Sequence, residues 1–183
     1  INKMKKVTFL VVMLAFFANV SMAQNKERVN AFNYNKNAQS YITTAEQLMV
    51  QNRVDKAQKQ MANAKIELTR AKTSIDLAAE NEETKNDAKT WHYYGVIYLK
   101  IATYPEFNDI DTDALSKCAD AFRKLVELDE TYFKNNYGEI ITYIQSITTN
   151  YFNQGALAYE AGDYAKAIEC YKQAYNTMAI IGH

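Results

Sequence analysis

The side chains available for metal or nucleophilic chemistry are few. Only two histidines, His92 and the terminal His183, and two cysteines, Cys118 and Cys170, occur in the chain. Zinc sites take Cys and His in close pairs, and no two of these residues stand at that spacing. Glycine-rich phosphate loops and the Gly-x-Ser-x-Gly elbow of a hydrolase are missing too. The run Asp109-Ile110-Asp111-Thr112-Asp113 sets oxygens at alternate positions, as the opening of a calcium loop does. Ala114 stands where such a loop bends at glycine, and Asp120 where it closes with glutamate. The run therefore reads as a polar loop with Thr112 or Asp113 capping the next helix. Carboxylates elsewhere are scattered among lysines and read as a solvated face. Neither catalysis nor a metal or cofactor is expected, and the chemistry left is that of binding.

The elements that would position a binding face are helical. The 183 residues include 48% hydrophobic types but only five glycines and one proline, too few for the tight turns of a β-rich fold. Lys3, Lys5 and Lys6 precede an apolar stretch from Val7 to Val20, and Ser21-Met22-Ala23 supplies small residues before Gln24. That is the pattern of a cleaved export signal at residues 1–23, too short for a membrane span. Met4 is its natural start, which makes residues 1–3 upstream translation. The expected organisation is a linker at 24–36, then a helical domain at 37–183. Loss of residues 1–23 would leave 18 basic and 21 acidic residues, a net of −3. No basic stripe for nucleic acid is present, and the membrane would be met only through the signal. Cys118 and Cys170 sit in apolar helical patterns that suit free, buried thiols, with a disulfide between their helices as the alternative.

The body of the chain repeats itself. Tyr151, Gly155, Gly162, Tyr164, Ala167, Tyr171 and Ala174 form an ordered skeleton, and Trp91, Tyr94, Gly95 and Tyr98 echo its first half. Cys118, Phe122 and Leu125 supply the matching second helix after an enlarged loop, Thr103 to Thr112, that holds Pro105. These residues resemble the tetratricopeptide repeat, a pair of antiparallel helices of about 34 residues. In such a pair Gly155 and Ala167 allow close approach, Gly162 ends the first helix and Asp163 caps the second. A weaker copy runs through Tyr41, Ala45, Leu48, Val54, Ala57, Met61 and Ala64. Its seam continues through Leu68, Ala71, Ile75 and Ala78 as one long helix near residues 53–80, and a second frame would use Ala71, Ile75 and Ala78 instead. A coiled-coil dimer could use this seam, although its many alanines suit packing within one chain better. Ile140, Ile141, Ile144 and Ile147 extend the first helix of the last pair.

The resemblance implies an all-α solenoid of about three helix pairs whose first helices line a concave groove. Lys89, His92, Val96 and Leu99 are then groove-facing, with Phe152, Asn153, Ala156 and Tyr159 as their counterparts. Such a mixed stripe suits an extended peptide or a partner helix. His92, Val96 and Thr149 occupy slots where chaperone-binding relatives hold a peptide's C-terminal carboxylate with lysine and asparagine, so that clamp is not expected. The apolar end Met178 to His183 lacks the polar capping helix of a repeat array, which implies continuation past His183. The function expected is an exported bacterial scaffold, periplasmic or extracellular, for a protein or peptide partner. Glycan binding or outer-membrane assembly is the alternative, and catalysis by residues beyond His183 a third.

Overall fold

The computed structural model describes residues 2–182, with side chains from Lys26 onward. Residues 1–23, expected to be an export signal, lie outside the side chains described, as does His183. Seven α-helices follow one another: α1 (Asn2–Val50), α2 (Val54–Glu80), α3 (Ala88–Thr103), α4 (Ala114–Leu128), α5 (Glu130–Asn135), α6 (Tyr137–Glu160) and α7 (Tyr164–Met178). Short 3-10 turns cover Pro105–Phe107 and Ala179–Gly182, and no strand occurs among the described residues. The helices pair as α1/α2, α3/α4 and α6/α7, giving the expected all-α solenoid of three pairs. Among the described residues no helix is long and apolar enough to cross a membrane.

Alanine spacing dictates the first pair. Ala31, Ala38 and Ala45 on α1, and Ala57, Ala64, Ala71 and Ala78 on α2, recur every seventh residue and are all at most 1% exposed. A seven-residue repeat keeps one stripe of each helix against its partner, and the methyl side chains allow close approach. The seam is consumed within the chain, so it is not free to form a coiled-coil dimer. Residues 24–36, expected to be a linker, instead belong to α1, and Ala31 is fully buried in the main core. The reason is length: α2 runs on to Glu80, and its later alanines need a partner of equal reach.

The frame of the first repeat follows from its turn. Arg53 N–H donates to Leu48 O and Asn52 N–H to Met49 O, both at 2.9 Å. In the last pair Asp163 N–H donates to Ala158 O at 2.9 Å and Gly162 N–H to Tyr159 O at 3.0 Å. Asn52 and Gly162 share the left-handed backbone region, at φ 56° and 78°, which ends a helix with few steric alternatives to Gly or Asn. Aligning these turns puts Tyr41, Ala45, Ala57, Met61 and Ala64 in the slots of Tyr151, Gly155, Ala167, Tyr171 and Ala174. The frame built on Ala71, Ile75 and Ala78 is thereby set aside.

The enlarged loop between α3 and α4 is a plug. Its Phe107 is fully buried against Ala38, Ile42, Ala64 and Leu68, with Tyr104, Ile110 and Met61 at the margin. The acidic run is spent on holding this loop down: Lys65 pairs with Asp109 at 2.6 Å, while Lys117 and Lys72 reach Asp111 at 2.6 and 3.4 Å. Asp111 also accepts the Asp113 N–H at 3.0 Å. Asp113 is the N-cap residue of α4, though its side chain makes no capping bond.

The third pair stacks differently from the second. Of the buried residues of α6, Ile140, Ile144, Ile147 and Tyr151 join α3 and α4 in the main core, while Gly155 and Ala158 are buried further along the helix. Stacking therefore falls chiefly on the isoleucine-rich start of α6, with Tyr151 at the beginning of the repeat skeleton as its last member. The skeleton's own tip runs past the core with Phe152, Leu157, Tyr159, Tyr164 and Ile168 exposed.

Candidate functional site

A cavity of about 690 Å³ opens where α1, α3, α5 and α6 converge. Phe32, Asn35, Lys36 and Gln39 enter it from α1, His92, Tyr93, Val96 and Lys100 from α3, and Tyr132, Glu139 and Tyr143 from α5 and α6. Helical geometry explains the α3 contribution, because residues three and four apart share one face. Asp87 starts α3 by accepting the Lys89 N–H at 2.9 Å, and the ion pair from Arg28 on α1 fixes that end. Phe32 and Tyr93 meet across the cleft with ring centroids 5.3 Å apart. The Lys89 ammonium lies 5.8 Å from the Tyr93 ring centroid.

His92 forms the floor. It is 5% exposed, and its Nδ1 lies 2.9 Å from the Tyr132 hydroxyl. Its ring meets those of Phe122, Tyr132 and Tyr143 with centroids 5.8 to 6.2 Å away. Burial lowers its pKa against a smaller upward pull from Glu139, whose Oε2 is 4.0 Å from Nε2. The imidazole is thus held neutral and can share one hydrogen bond with Tyr132. Glu139 in turn accepts from the Tyr143 hydroxyl at 2.8 Å. Burial pushes the Tyr132 hydroxyl up to about 12 and raises Tyr143 further still, so both remain protonated donors.

Of the eight residues expected to line one groove, Lys89, His92 and Val96 do so. Leu99, expected beside them, is 7% exposed and belongs to the main core. Phe152, Asn153, Ala156 and Tyr159 do not line this cavity. Phe152 and Tyr159 are 57% and 61% exposed on the tip of the last pair, against Tyr171 and Tyr164. The cause is the displaced stacking of α6: glycine alignment puts Phe152 level with His92, whereas Glu139 and Tyr143 occupy that place. Sequence reading missed Lys100, Tyr93 and the whole α1 contribution. The stripe through His92 and Val96 was legible, but the neighbour that α3 turns its next face toward was not.

The repeat skeleton behaves as structural residues should. The Trp91 indole donates to Lys85 O at 2.6 Å, and Tyr94 stacks on Tyr98 at 4.3 Å. Tyr98, fully within the core, donates to Asp76 on α2 at 2.7 Å. A Cβ on Gly95 would stand 2.6 Å from the buried Phe122 ring, and one on Gly155 would stand 2.7 Å from Tyr171. Gly162 makes the left-handed turn, Asp163 caps α7 by accepting from Lys166 N–H at 3.1 Å, and Ala167 and Ala174 are buried. Tyr164 is largely exposed, as is Gly162 in the turn before it. Both cysteines are free and buried, and the Cys118 thiol donates to Gly95 O at 3.1 Å.

Two other clefts carry less chemistry. One of about 1060 Å³ separates α4 from the end of α7, lined by polar surface residues such as Ser116, Asp120, Arg123, Gln173 and Asn176. Arg123 and Asp120 there satisfy each other. Another of about 620 Å³ flanks the α1–α2 turn beside Met49, Val54 and Met61. Among the described residues no three His, Cys, Asp or Glu side chains gather for a metal ion.

No curated protein and no solved structure matches the chain. Residues 149–177 match the family model described as tetratricopeptide repeat. That segment holds the Tyr151–Ala174 skeleton, the Gly162 turn and the Asp163 cap. The last helix pair is therefore similar to a tetratricopeptide repeat, and the fold as a whole is an all-α array of three helix pairs consistent with such a repeat.

Proposed function

We propose that the chain is a non-catalytic scaffold that holds an extended segment of a partner protein in the cleft between α1, α3 and α6. Tetratricopeptide repeats act as protein-interaction scaffolds. The observation that carries the finer statement is the cleft itself, where Phe32, Tyr93, Val96 and Tyr143 alternate with Asn35, Gln39 and Asn136. Apolar anchors interspersed with few polar groups suit a peptide backbone with alternate side chains. The pattern of residues 1–23 supports action after export, in the periplasm or outside a bacterial cell. N-terminal sequencing of the envelope-fraction protein should then start at Gln24, and an intact Met4 start would refute export.

The test of the cleft is a pair of substitutions in the full chain. Val96→Glu places a charge among the cleft rings and should reduce partner capture from an envelope extract at least about tenfold, the loss of one good apolar anchor. Tyr159→Ala, on the exposed tip, should leave capture unchanged. The reverse outcome would move binding to the last helix pair.

A further inference from the structure

The last helix pair keeps an apolar face that nothing among the described residues covers. Phe152 and Tyr159 on α6, and Tyr164, Ile168 and Tyr175 on α7, are each 55 to 77% exposed. Helical spacing gathers them: steps of three and four bring Phe152, Ala156 and Tyr159 to one side of α6, and Tyr164, Ile168, Tyr171 and Tyr175 to one side of α7. Two ring contacts join the stripes into a single surface. Phe152 meets Tyr171 and Tyr159 meets Tyr164, both with centroids 5.4 Å apart. Ala156 and Ile168 stand between those contacts, a small side chain on one helix and a projecting one on the other. A hollow of about 450 Å³ opens among Ile168, Tyr171, Lys172 and Tyr175.

Size and shape indicate what this face meets. An aromatic side chain presents roughly 150–250 Å². At the observed exposure the four aromatic rings and Ile168 together offer about 600 Å². Isolated patches above a few hundred Å² mark interaction sites, and with the edge of Tyr171 and the stem of Lys172 the area approaches the roughly 800 Å² per partner of a stable interface. The face also complements itself. Turning a second copy about a two-fold axis parallel to the helices lays its α6 over α7 at unchanged height. Ile168 then sits over Ala156 of the other copy, between that copy's Phe152 and Tyr159. Phe152 enters the hollow beside Tyr171 of the other copy. Every contact occurs twice, as a two-fold interface requires. The exposed charges on these helices are mixed in sign, Glu160 and Glu169 with Lys166 and Lys172, so no strip of like charge opposes itself. We propose that two copies of the chain form a closed dimer through this face, with Ile168 as the knob and Ala156 as the hole. The cleft lined by His92 and Tyr143 shares no residue with it, so dimer and cleft can be tested apart.

Sedimentation velocity of the full chain from about 1 to about 500 μM should show a monomer giving way to a dimer, with a dissociation constant in the micromolar range for an interface of this modest area. Ile168→Asp should raise that constant at least about tenfold. Its urea midpoint should match the parent's, because Ile168 is already exposed in a single copy. Val96→Glu, in the cleft, should leave the dimer unchanged. Introduced cysteines read the register, since Cys118 and Cys170 are buried. Chains carrying Ala156→Cys mixed with chains carrying Ile168→Cys should form a disulfide-linked dimer under mild oxidation, and neither should do so alone. A chain that stays monomeric across that range, or an Ile168→Asp chain that dimerises as the parent does, would overturn the dimer. Growth beyond two copies would overturn the closed two-fold. Self-linkage of the Ile168→Cys chains, with none in the mixture, would overturn the register. A monomer that captures a different protein through Ile168 would overturn the second copy as the occupant of this face.

Discussion

Single atoms decide the packing of the helix pairs. Gly95 and Gly155 hold the same slot, yet their surroundings differ: Phe122 is fully buried and stacked on Tyr143, while Tyr171 is only half-buried. Gly95→Ala should therefore destabilise the chain by about 1–2 kcal/mol, an overpacking cost reduced by the better helix propensity of alanine. Gly155→Ala should stay within about 1 kcal/mol of the parent, because Tyr171 can swing outward. Urea midpoints of the two variants check the difference. His92 gives a pH signature. Burial depresses its folded pKa, so the unfolded chain takes up a proton that the folded chain resists. Its contribution is intact above about pH 6.5 and is lost as pH falls through that value. The stability gap between the parent and His92→Gln should narrow between about pH 7.5 and 5.5, and a constant gap would contradict a buried neutral imidazole. The glycines were legible because only a small residue fits their slot. The partners of His92 were not, because Tyr132 and Tyr143 lie on segments without a repeat signature.

Elements show where periodicity suffices and where it fails. Seven-residue alanine spacing announces the α1/α2 pair, and Pro105 with the lengthened spacing announces the loop. What the loop does depends on a tertiary contact, the insertion of Phe107 between α1 and α2. Phe107→Ala should cost about 3–5 kcal/mol, the usual penalty for emptying a buried aromatic site. It should also speed amide exchange first around the α1–α2 turn, where that side chain closes the second cluster. Uniform exchange across all helices would deny the loop its role as a plug. The α6 register misleads for the opposite reason. Its skeleton from Tyr151 onward is easy to recognise, but the isoleucines ahead of it make the stacking surface. A strong motif thus marked the hairpin and misplaced its face, sending Phe152 and Tyr159 to the exposed tip.

At the scale of the molecule, three stacked helix pairs create a cleft that none contains alone. α1 brings the aromatic and amide rim, α3 the floor and the lysine, and α5 with α6 the hydroxyls and the single acid. The fold class and three of the cleft residues follow from the sequence. The remainder follows from how far α1 and α6 extend beyond the repeat skeleton, a length no motif specifies. The most direct test is photocrosslinking in cells expressing the full chain, with benzoylphenylalanine placed singly at Gln39, Lys36, Phe152 or Ile66. Gln39 and Lys36 border the cleft, while Phe152 and Ile66 are exposed elsewhere. A discrete adduct with a different protein from the two cleft positions, and none from the other two, is the predicted result. Such adducts from Phe152 or Ile66 with none from Gln39 and Lys36 would contradict the cleft as the binding site.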